Sequence, residues 1–276
     1  MNYQHFSAFG VLVLVVGGSL LFWSGQHDMV DMNRENQSVV RAERIVHNPH
    51  DALSGVEPGN QSISGRMITL NQSRNYYAAP VSDDDAPGLI LLHAWWGLTD
   101  YVKETADIYA SYGYRVVAVD LFNGSKPKTR VEALRLAKDL DRDDIEDQLR
   151  RAKILLREEG SRSVGGIGMC MGGTKLMNVM TASDFGLDAT IVDFAKPVLN
   201  DSKLAKVESP LQGIYGDRDD IHNLADVREM DQRLDRHVSN EIYVYENATH
   251  GFDNNQSKAS QAIKDSKPFL RRYLKE

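Results

Sequence analysis

A single cysteine stands in a glycine-rich stretch of this chain of 276 residues. Cys170 lies within GGIGMCMGGTK (165–175), and Gly168 and Gly172 flank it at two residues on each side. This spacing is typical of a sharp turn between a strand and a helix, which exposes the central side chain as a nucleophile. The N-terminus of the following helix would stabilise negative charge on the sulfur. We therefore predict a nucleophilic thiol, although the motif alone equally fits an inert core cysteine whose neighbouring glycines permit a tight turn or bind a phosphate.

A cysteine nucleophile needs a histidine as its base and a carboxylate that orients the histidine. After a nucleophile in such a turn, the acid comes first along the chain and the histidine second. The stretch GDRDD (216–220) and His250 each follow a predicted strand, and no other histidine follows the last strand. Asp217, Asp219 and Asp220 could each orient an imidazole, and the residues alone do not choose among them.

Short apolar runs alternate with amphipathic stretches from about residue 63 onward. This alternation predicts crossover helices between parallel strands, that is, a doubly wound, mainly parallel sheet covered on both faces. An N-terminal antiparallel hairpin is predicted over 66–80. The predicted strands are 88–94, 115–122, 164–168, 189–194, 210–216 and 240–248, and the predicted helices are 100–112, 130–160, 225–236, one from about 174 and one from about 257.

The beginning of the chain has a different character. Residues 6–25 (FSAFGVLVLVVGGSLLFWSG) carry no charge, and about 20 residues of helix span the roughly 30 Å hydrocarbon core of a bilayer. Since no Lys or Arg precedes them and no Ala-x-Ala site follows, a signal anchor is favoured over a cleaved signal peptide. We expect such a helix at 1–25, a polar arm at 26–62 and the folded domain at 63–276. The domain is then exported or membrane-anchored and extracytoplasmic, with the membrane as partner of the first segment.

Composition excludes several classes of function. A net charge of −7 and a pI near 5.6 argue against a general nucleic-acid binder, which needs a basic face. One cysteine permits neither an intramolecular disulfide nor a multi-cysteine metal site. The proposed chemistry also requires no metal and no organic cofactor.

Five motifs resemble the dienelactone hydrolase family of α/β-hydrolases. They are HAWWGL (93–98), AVDLF (118–122), GMCMGG (168–173), YGDRDD (215–220) and THGF (249–252). The resemblance extends from about residue 66 to the C-terminus and implies the α/β-hydrolase fold. The family's G-x-x-D pattern selects Asp219 as the acid, beside Cys170 as the nucleophile and His250 as the base. It thereby implies hydrolysis of a carboxylic ester or lactone through an acyl-thioenzyme.

The same fold implies how the substrate would be held. Two backbone N–H groups, those of Trp95 and Met171, are expected to form the oxyanion hole. Trp96 and Phe122 are expected to line the substrate pocket, although the tryptophan pair could equally be structural.

The sequence departs from the family at the positions that recognise dienelactone. Ala94 stands where the family has a glutamate that contacts the thiol, and the arginines that bind the substrate carboxylate fall near Gly124 and Asn254. The loop at 126–130 could supply a cation, but solvated loop charges are commoner. We therefore expect a small-molecule ester or lactone other than dienelactone.

Two alternatives to a hydrolase remain open at this stage. One is a non-catalytic binding or scaffold protein on the same fold, since a fold does not determine a function. The other is a thiol redox protein, for which the chain has no second cysteine.

Overall fold

The computed structural model describes residues 11–16, 19–24, 56–82, 85–252 and 256–275. The chain divides into two compact units, 1–46 and 47–276. In the first unit, β1 (Val11–Val16) and β2 (Ser19–Ser24) pair as antiparallel strands.

The helix predicted over 6–25 is therefore wrong for these strand residues. Valine and aromatic side chains favour strands, and both runs are rich in them. Within the described residues, no helix is long and apolar enough to cross a bilayer. Membrane attachment, export and the segment boundaries at 25 and 62 stay predictions, and most of the polar arm lies outside the described residues.

The second unit is built on a mixed sheet that has eight strands in the described residues, in the order β10-β9-β8-β7-β5-β6-β4-β3. These strands are β3 (Ile63–Leu70), β4 (Ser73–Pro80), β5 (Gly88–Leu92), β6 (Arg115–Val119), β7 (Val164–Met169), β8 (Ala189–Asp193), β9 (Leu211–Gly216) and β10 (Asn240–Tyr245). The β3–β4 hairpin is antiparallel and joins β6 antiparallel, while the remaining neighbours run parallel. The predicted hairpin and mainly parallel sheet are confirmed.

Helices cover both faces of this sheet. They are α1 (Asp100–Ser111), α2 (Arg130–Asp139), α3 (Arg142–Glu158), α4 (Met171–Met180), α5 (Asp201–Leu204), α6 (Leu224–Leu234) and α7 (Gln256–Leu274). The stretch predicted as one helix over 130–160 is divided into α2 and α3. The division lies at Asp141, whose carboxylate accepts the N–H groups of Asp143 and Asp144 and so caps the start of α3.

Two apolar layers enclose the sheet because successive strand residues face opposite sides. Val192 of β8 belongs to the core under α3, α4 and α6. Its neighbour Ile191 belongs to the core under α1 and α7. Apolar residues on both faces explain why the strands read as continuous apolar runs in the sequence. The carboxyl ends of the parallel strands consequently meet at one edge, where sheets of this kind bind ligands.

Candidate active site

Cys170 occupies a strained turn between β7 and α4. Its backbone has φ 49° and ψ −107°, a left-handed region that residues with a side chain rarely adopt. The Cys170 N–H donates to the carbonyl oxygen of Asp193 at 2.6 Å, which ties the turn to the end of β8. The thiol is partly exposed. The turn therefore presents the sulfur at the edge of the sheet instead of burying it in the core.

The glycines around this turn are required by close backbone contacts. A Cβ atom on Gly168 would lie 2.5 Å from the Cα atom of Gly173. A Cβ atom on Gly172 would lie 2.6 Å from the carbonyl oxygens of both Leu92 and His93. The second contact brings the first turn of α4 against the carboxyl end of β5. The loop after β5 therefore lies beside the turn that carries the thiol.

Three side chains from separate loops form a continuous hydrogen-bonded line. The Nε2 atom of His250 lies 2.9 Å from the Sγ atom of Cys170, and its Nδ1 atom lies 2.9 Å from Oδ2 of Asp219. The other carboxylate oxygen of Asp219 accepts the N–H groups of Ile221 and His222 at 2.8 and 3.0 Å. These bonds hold the carboxylate in one orientation toward the imidazole.

The structure thus distinguishes among the three neighbouring acids by position. Asp219 is the one whose carboxylate contacts His250, and its side chain is only 2% exposed. Asp217 and Asp220 are exposed, and the Asp217 carboxylate accepts the N–H of Ala248 at 3.3 Å instead. The geometry agrees with the family pattern, and the catalytic role of these residues stays a prediction.

The hydrogen bonds that His250 makes with Asp219 and Cys170 favour its charged form. Burial is the largest single influence and opposes ionisation of both His250 and Asp219, but their hydrogen bonds and charge interactions together outweigh it. The pKa of Asp219 lies below its ordinary value, helped by the two backbone N–H donors. The pKa of His250 is raised from 6.5 to about 10, since the Cys170 sulfur adds to the effect of the carboxylate. At neutral pH the site is therefore arranged for an imidazolium that the Asp219 carboxylate stabilises.

His222 is a second histidine at the site; the sequence places it in the acid loop but indicates no role for it. Its ring lies 5.2 Å from the His250 ring, and its Nε2–H donates to the carbonyl oxygen of Phe194 at 3.0 Å. Burial lowers its pKa, so it is neutral where His250 is charged. A neutral neighbour packs against the imidazolium without repelling it.

The two predicted oxyanion donors have N–H groups that no acceptor in the described residues occupies. Met171 is the first residue of α4, where N–H groups have no intrahelical acceptor. Trp95 follows Ala94 in the loop after β5, and the His93 ring fixes this loop by donating to the Ala94 carbonyl at 2.6 Å. The same ring accepts the N–H of Leu121 at 3.0 Å. Both donors are thus free for an oxyanion, and their use stays a prediction.

A cavity of about 120 Å³ opens beside the thiol, between the sheet and the layer of α1 and α7. Cys170 and Ala94 lie in its wall, but Trp96 and Phe122 do not. Trp96 is 38% exposed, and Phe122 is buried with its ring 4.9 Å from that of His93. Contact of these last two side chains with substrate stays a prediction.

Asp193 also lines this cavity, and the sequence analysis missed it. The only available signal was an aspartate that ends the apolar run ATIVD (189–193). A charged residue at the end of a buried strand usually faces water, so this signal is weak.

Known proteins resemble this chain in both sequence and structure. The dienelactone hydrolase family matches residues 74–274. Protein usf of Aquifex pyrophilus is 25% identical over 231 residues, which cover 76% of this chain and 99% of the relative. An Aquifex aeolicus protein provisionally named carboxymethylenebutenolidase is 24% identical over 232 residues, 76% of this chain and all of the relative.

The solved structures extend the likeness to the fold. A dienelactone hydrolase-like promiscuous phosphotriesterase from metagenomic libraries has a TM-score of 0.67 at 17% identity and covers 77% of this chain and 99% of its own. At this identity the likeness establishes the α/β-hydrolase fold and nothing finer. The family match spans most of the chain, including the turn, the acid loop and the histidine loop. The chain belongs to the dienelactone hydrolase family.

Proposed function

We propose that this protein hydrolyses carboxylic esters or lactones with Cys170 as the nucleophile. The observation that carries the proposal is the line from Asp219 through His250 to the thiol, with 2.9 Å between each pair of atoms. A carboxylate, an imidazole and a nucleophile in this order form the arrangement that activates nucleophiles in acyl transfer. A scaffold protein has no need of this geometry.

The first half-reaction forms an acyl-thioenzyme. The Cys170 thiolate attacks the carbonyl carbon, and negative charge develops on the carbonyl oxygen, which the N–H groups of Trp95 and Met171 would stabilise. Each such donor typically contributes about 3 kcal/mol to lowering the barrier. As the tetrahedral intermediate collapses, His250 gives its proton to the leaving alkoxide, and the alcohol departs.

The second half-reaction releases the acid. Acylation consumes the thiolate, and with it one of the causes that raise the pKa of His250. The neutral imidazole, still oriented by Asp219, then takes a proton from water, and the resulting hydroxide attacks the thioester carbonyl. The carboxylic acid leaves, and the Cys170 and His250 pair is restored.

The cavity favours a substrate other than dienelactone. No Arg or Lys lies in its wall among the described residues, so a substrate carboxylate would have no cationic partner there. Ala94 contributes a methyl group at a position where the family carries a carboxylate. We therefore propose that the substrate is an ester or lactone whose acyl part has no negative charge.

A test of the function uses the full chain with phenyl acetate and iodoacetamide. We expect release of phenol, and complete loss of this activity when one equivalent of iodoacetamide has reacted, since Cys170 is the only thiol. Rapid alkylation of a protein that never turns over ester would indicate thiol redox chemistry. A protein that neither reacts rapidly nor hydrolyses ester would be a scaffold.

A further inference from the structure

Asp193 is a carboxyl group without a partner beside the nucleophile. It is the last residue of β8 and pairs in register with Met169, the residue before Cys170. Its Oδ1 atom is inaccessible to solvent and receives no hydrogen bond. No described residue donates to the other oxygen either. The residue as a whole is half-buried and lines the cavity. Polar atoms that are shielded from water almost always have a partner, so an unpartnered carboxyl group in a cavity wall points to a ligand as its partner.

Apart from the Cys170 thiol and two tyrosines, Asp193 is the one acidic side chain among the described residues of the cavity wall. Tyr101 and Tyr109 of α1 lie in the same wall, and Tyr215 and Tyr245 approach it from β9 and β10. Burial raises the pKa of each of these tyrosines, so all four are neutral. Burial likewise raises the pKa of Asp193 to about 7.

The remaining wall suits a small cation. Aromatic rings attract cations through their faces, and the wall contains Phe194 and Phe252 besides the tyrosines. Other parts are small, such as Ala259 and Ala262 of α7. The volume is below the roughly 150 Å³ of a cavity that takes one benzene ring. A short chain attached to the Cys170 sulfur therefore fits, and a fatty acyl chain does not.

We propose that this cavity is an acyl pocket for esters whose short acyl chain ends in an ammonium group, with Asp193 as the counter-ion of that group. The proposal rests on the proposed function and names its substrate class. A half-buried carboxylate that gains an ammonium partner changes from a destabilising group into a binding contact. An acyl chain that ends in a carboxylate would instead be repelled.

Three phenyl esters of nearly equal shape test this preference on the full chain. Phenyl β-alaninate carries an ammonium group, phenyl butanoate a methyl group at the same place, and monophenyl succinate a carboxylate. We expect kcat/KM for the β-alanine ester to exceed that of the butanoate by at least about tenfold, and the succinate to be the poorest. Equal values for the first two, or a preference for the succinate, would overturn the proposal while leaving ester hydrolysis intact.

The Asp193→Asn variant and a matched control assign the preference to this residue. The selectivity ratio is kcat/KM for the β-alanine ester divided by kcat/KM for the butanoate. It should fall at least about tenfold in Asp193→Asn, because KM of the cationic ester rises. It should be unchanged in Asp184→Asn, which removes one charge from a carboxylate that is 95% exposed. A ratio that survives in Asp193→Asn contradicts the assignment.

The pH dependence gives a readout that a merely structural role would not change. Titration of Cys170 and His250 affects both esters and cancels in the ratio, and an alkyl ammonium stays charged below about pH 8. The ratio should therefore rise as Asp193 ionises near pH 7 in the wild type and stay flat in Asp193→Asn. A flat ratio in the wild type contradicts the proposal.

Binding without turnover separates this proposal from the proposed function. Calorimetry on the Cys170→Ala protein should show that β-alaninamide binds at least about tenfold more tightly than butanamide. The difference should vanish in the double variant that carries both Cys170→Ala and Asp193→Asn. If no ester is hydrolysed, the proposed function fails and these titrations still decide the ligand class. Equal binding of the two amides overturns the proposal even if esters are hydrolysed.

Discussion

The Nε2 atom of His250 lies 2.9 Å from the sulfur of Cys170, although 80 residues separate the two along the chain. The contact depends on two loops that leave the carboxyl ends of β7 and β10, on opposite sides of β8 and β9. The imidazole is held from its other side by Asp219. Each of the following predictions addresses one consequence of this arrangement.

Cys170→Ala should abolish ester hydrolysis and leave the fold intact. The thiol is the group that would bond to the acyl carbon, and loss of such a nucleophile typically costs at least about 10³-fold in kcat. Because the side chain is partly exposed and contributes little packing, we expect the melting temperature to change by less than about 3 °C. Wild-type rates in pure variant protein would remove the nucleophile assignment.

Asp219→Asn should reduce kcat far more than the same change at Asp217 or Asp220. An amide in place of the carboxylate no longer stabilises the imidazolium and disfavours the required tautomer, an effect of up to about 10⁴-fold in a related triad. Steady-state rates of the three variants on one ester provide the comparison. A larger loss in Asp217→Asn would show that the contact seen in the structure is not the functional one.

The charge state of the Cys170 and His250 pair predicts an unusual pH dependence of alkylation. The pKa of His250 is about 10, so the imidazolium persists at neutral pH and favours a thiolate partner. Iodoacetamide should therefore react at a nearly constant rate from pH 6 to 8, whereas an ordinary thiol speeds up almost tenfold per unit below about 8.5. In His250→Ala the ordinary dependence should return.

Ala94→Glu should partly reverse this behaviour. The new carboxylate would stand in the wall that Ala94 shares with Cys170, and a neighbouring negative charge disfavours a thiolate. Alkylation at pH 6 should then become slower than in the wild type and increase with pH. An unchanged profile would mean that the side chain at this position does not reach the sulfur.

Gly172→Ala should destabilise the protein although alanine normally favours helices by about 1 kcal/mol over glycine. The added methyl would meet the carbonyl oxygens of Leu92 and His93 at 2.6 Å, and backbone atoms cannot move aside as a flexible side chain can. We expect a melting temperature lower by at least about 3 °C, together with reduced kcat. In Gly124→Ala, where no atom lies within 4 Å of the new Cβ, only the strain of a positive φ is expected. A stabilised Gly172→Ala protein would contradict the close approach of these loops.

Asp193→Asn should stabilise the protein at pH 8 but not at pH 4. The folded-state pKa of about 7 lies above the ordinary value of 3.8, so folding favours the protonated carboxyl group. The wild type consequently loses stability as the pH rises from about 4 through about 7, and the variant lacks this loss. Melting temperatures of both proteins across this range should diverge by at least about 2 °C. Parallel curves would show that the carboxyl group is better solvated than its position indicates.

Much of the architecture follows from local patterns in the sequence. Apolar runs bounded by polar loops predicted the parallel strands, and the spacing of glycines around Cys170 predicted the turn, because these features depend on short-range sterics and burial. The motif order from Cys170 through the acid loop to His250 also predicted which loops meet. The helix predicted over 6–25 failed because apolar composition alone does not distinguish a strand pair from a helix.

The tertiary structure decided what depends on contacts between distant segments. Asp217, Asp219 and Asp220 are nearly indistinguishable as residues, and only the path of the loop after β9 directs one of them at His250. The partners of Asp193, or their absence, depend on how α1 and α7 pack over the sheet, and no local pattern encodes that. The sequence by itself therefore determined the fold class and the chemical groups of the site. The packing of separate elements decided which carboxylate contacts the histidine and what surrounds the cavity beside the thiol, because distances between groups far apart in the chain arise only on folding.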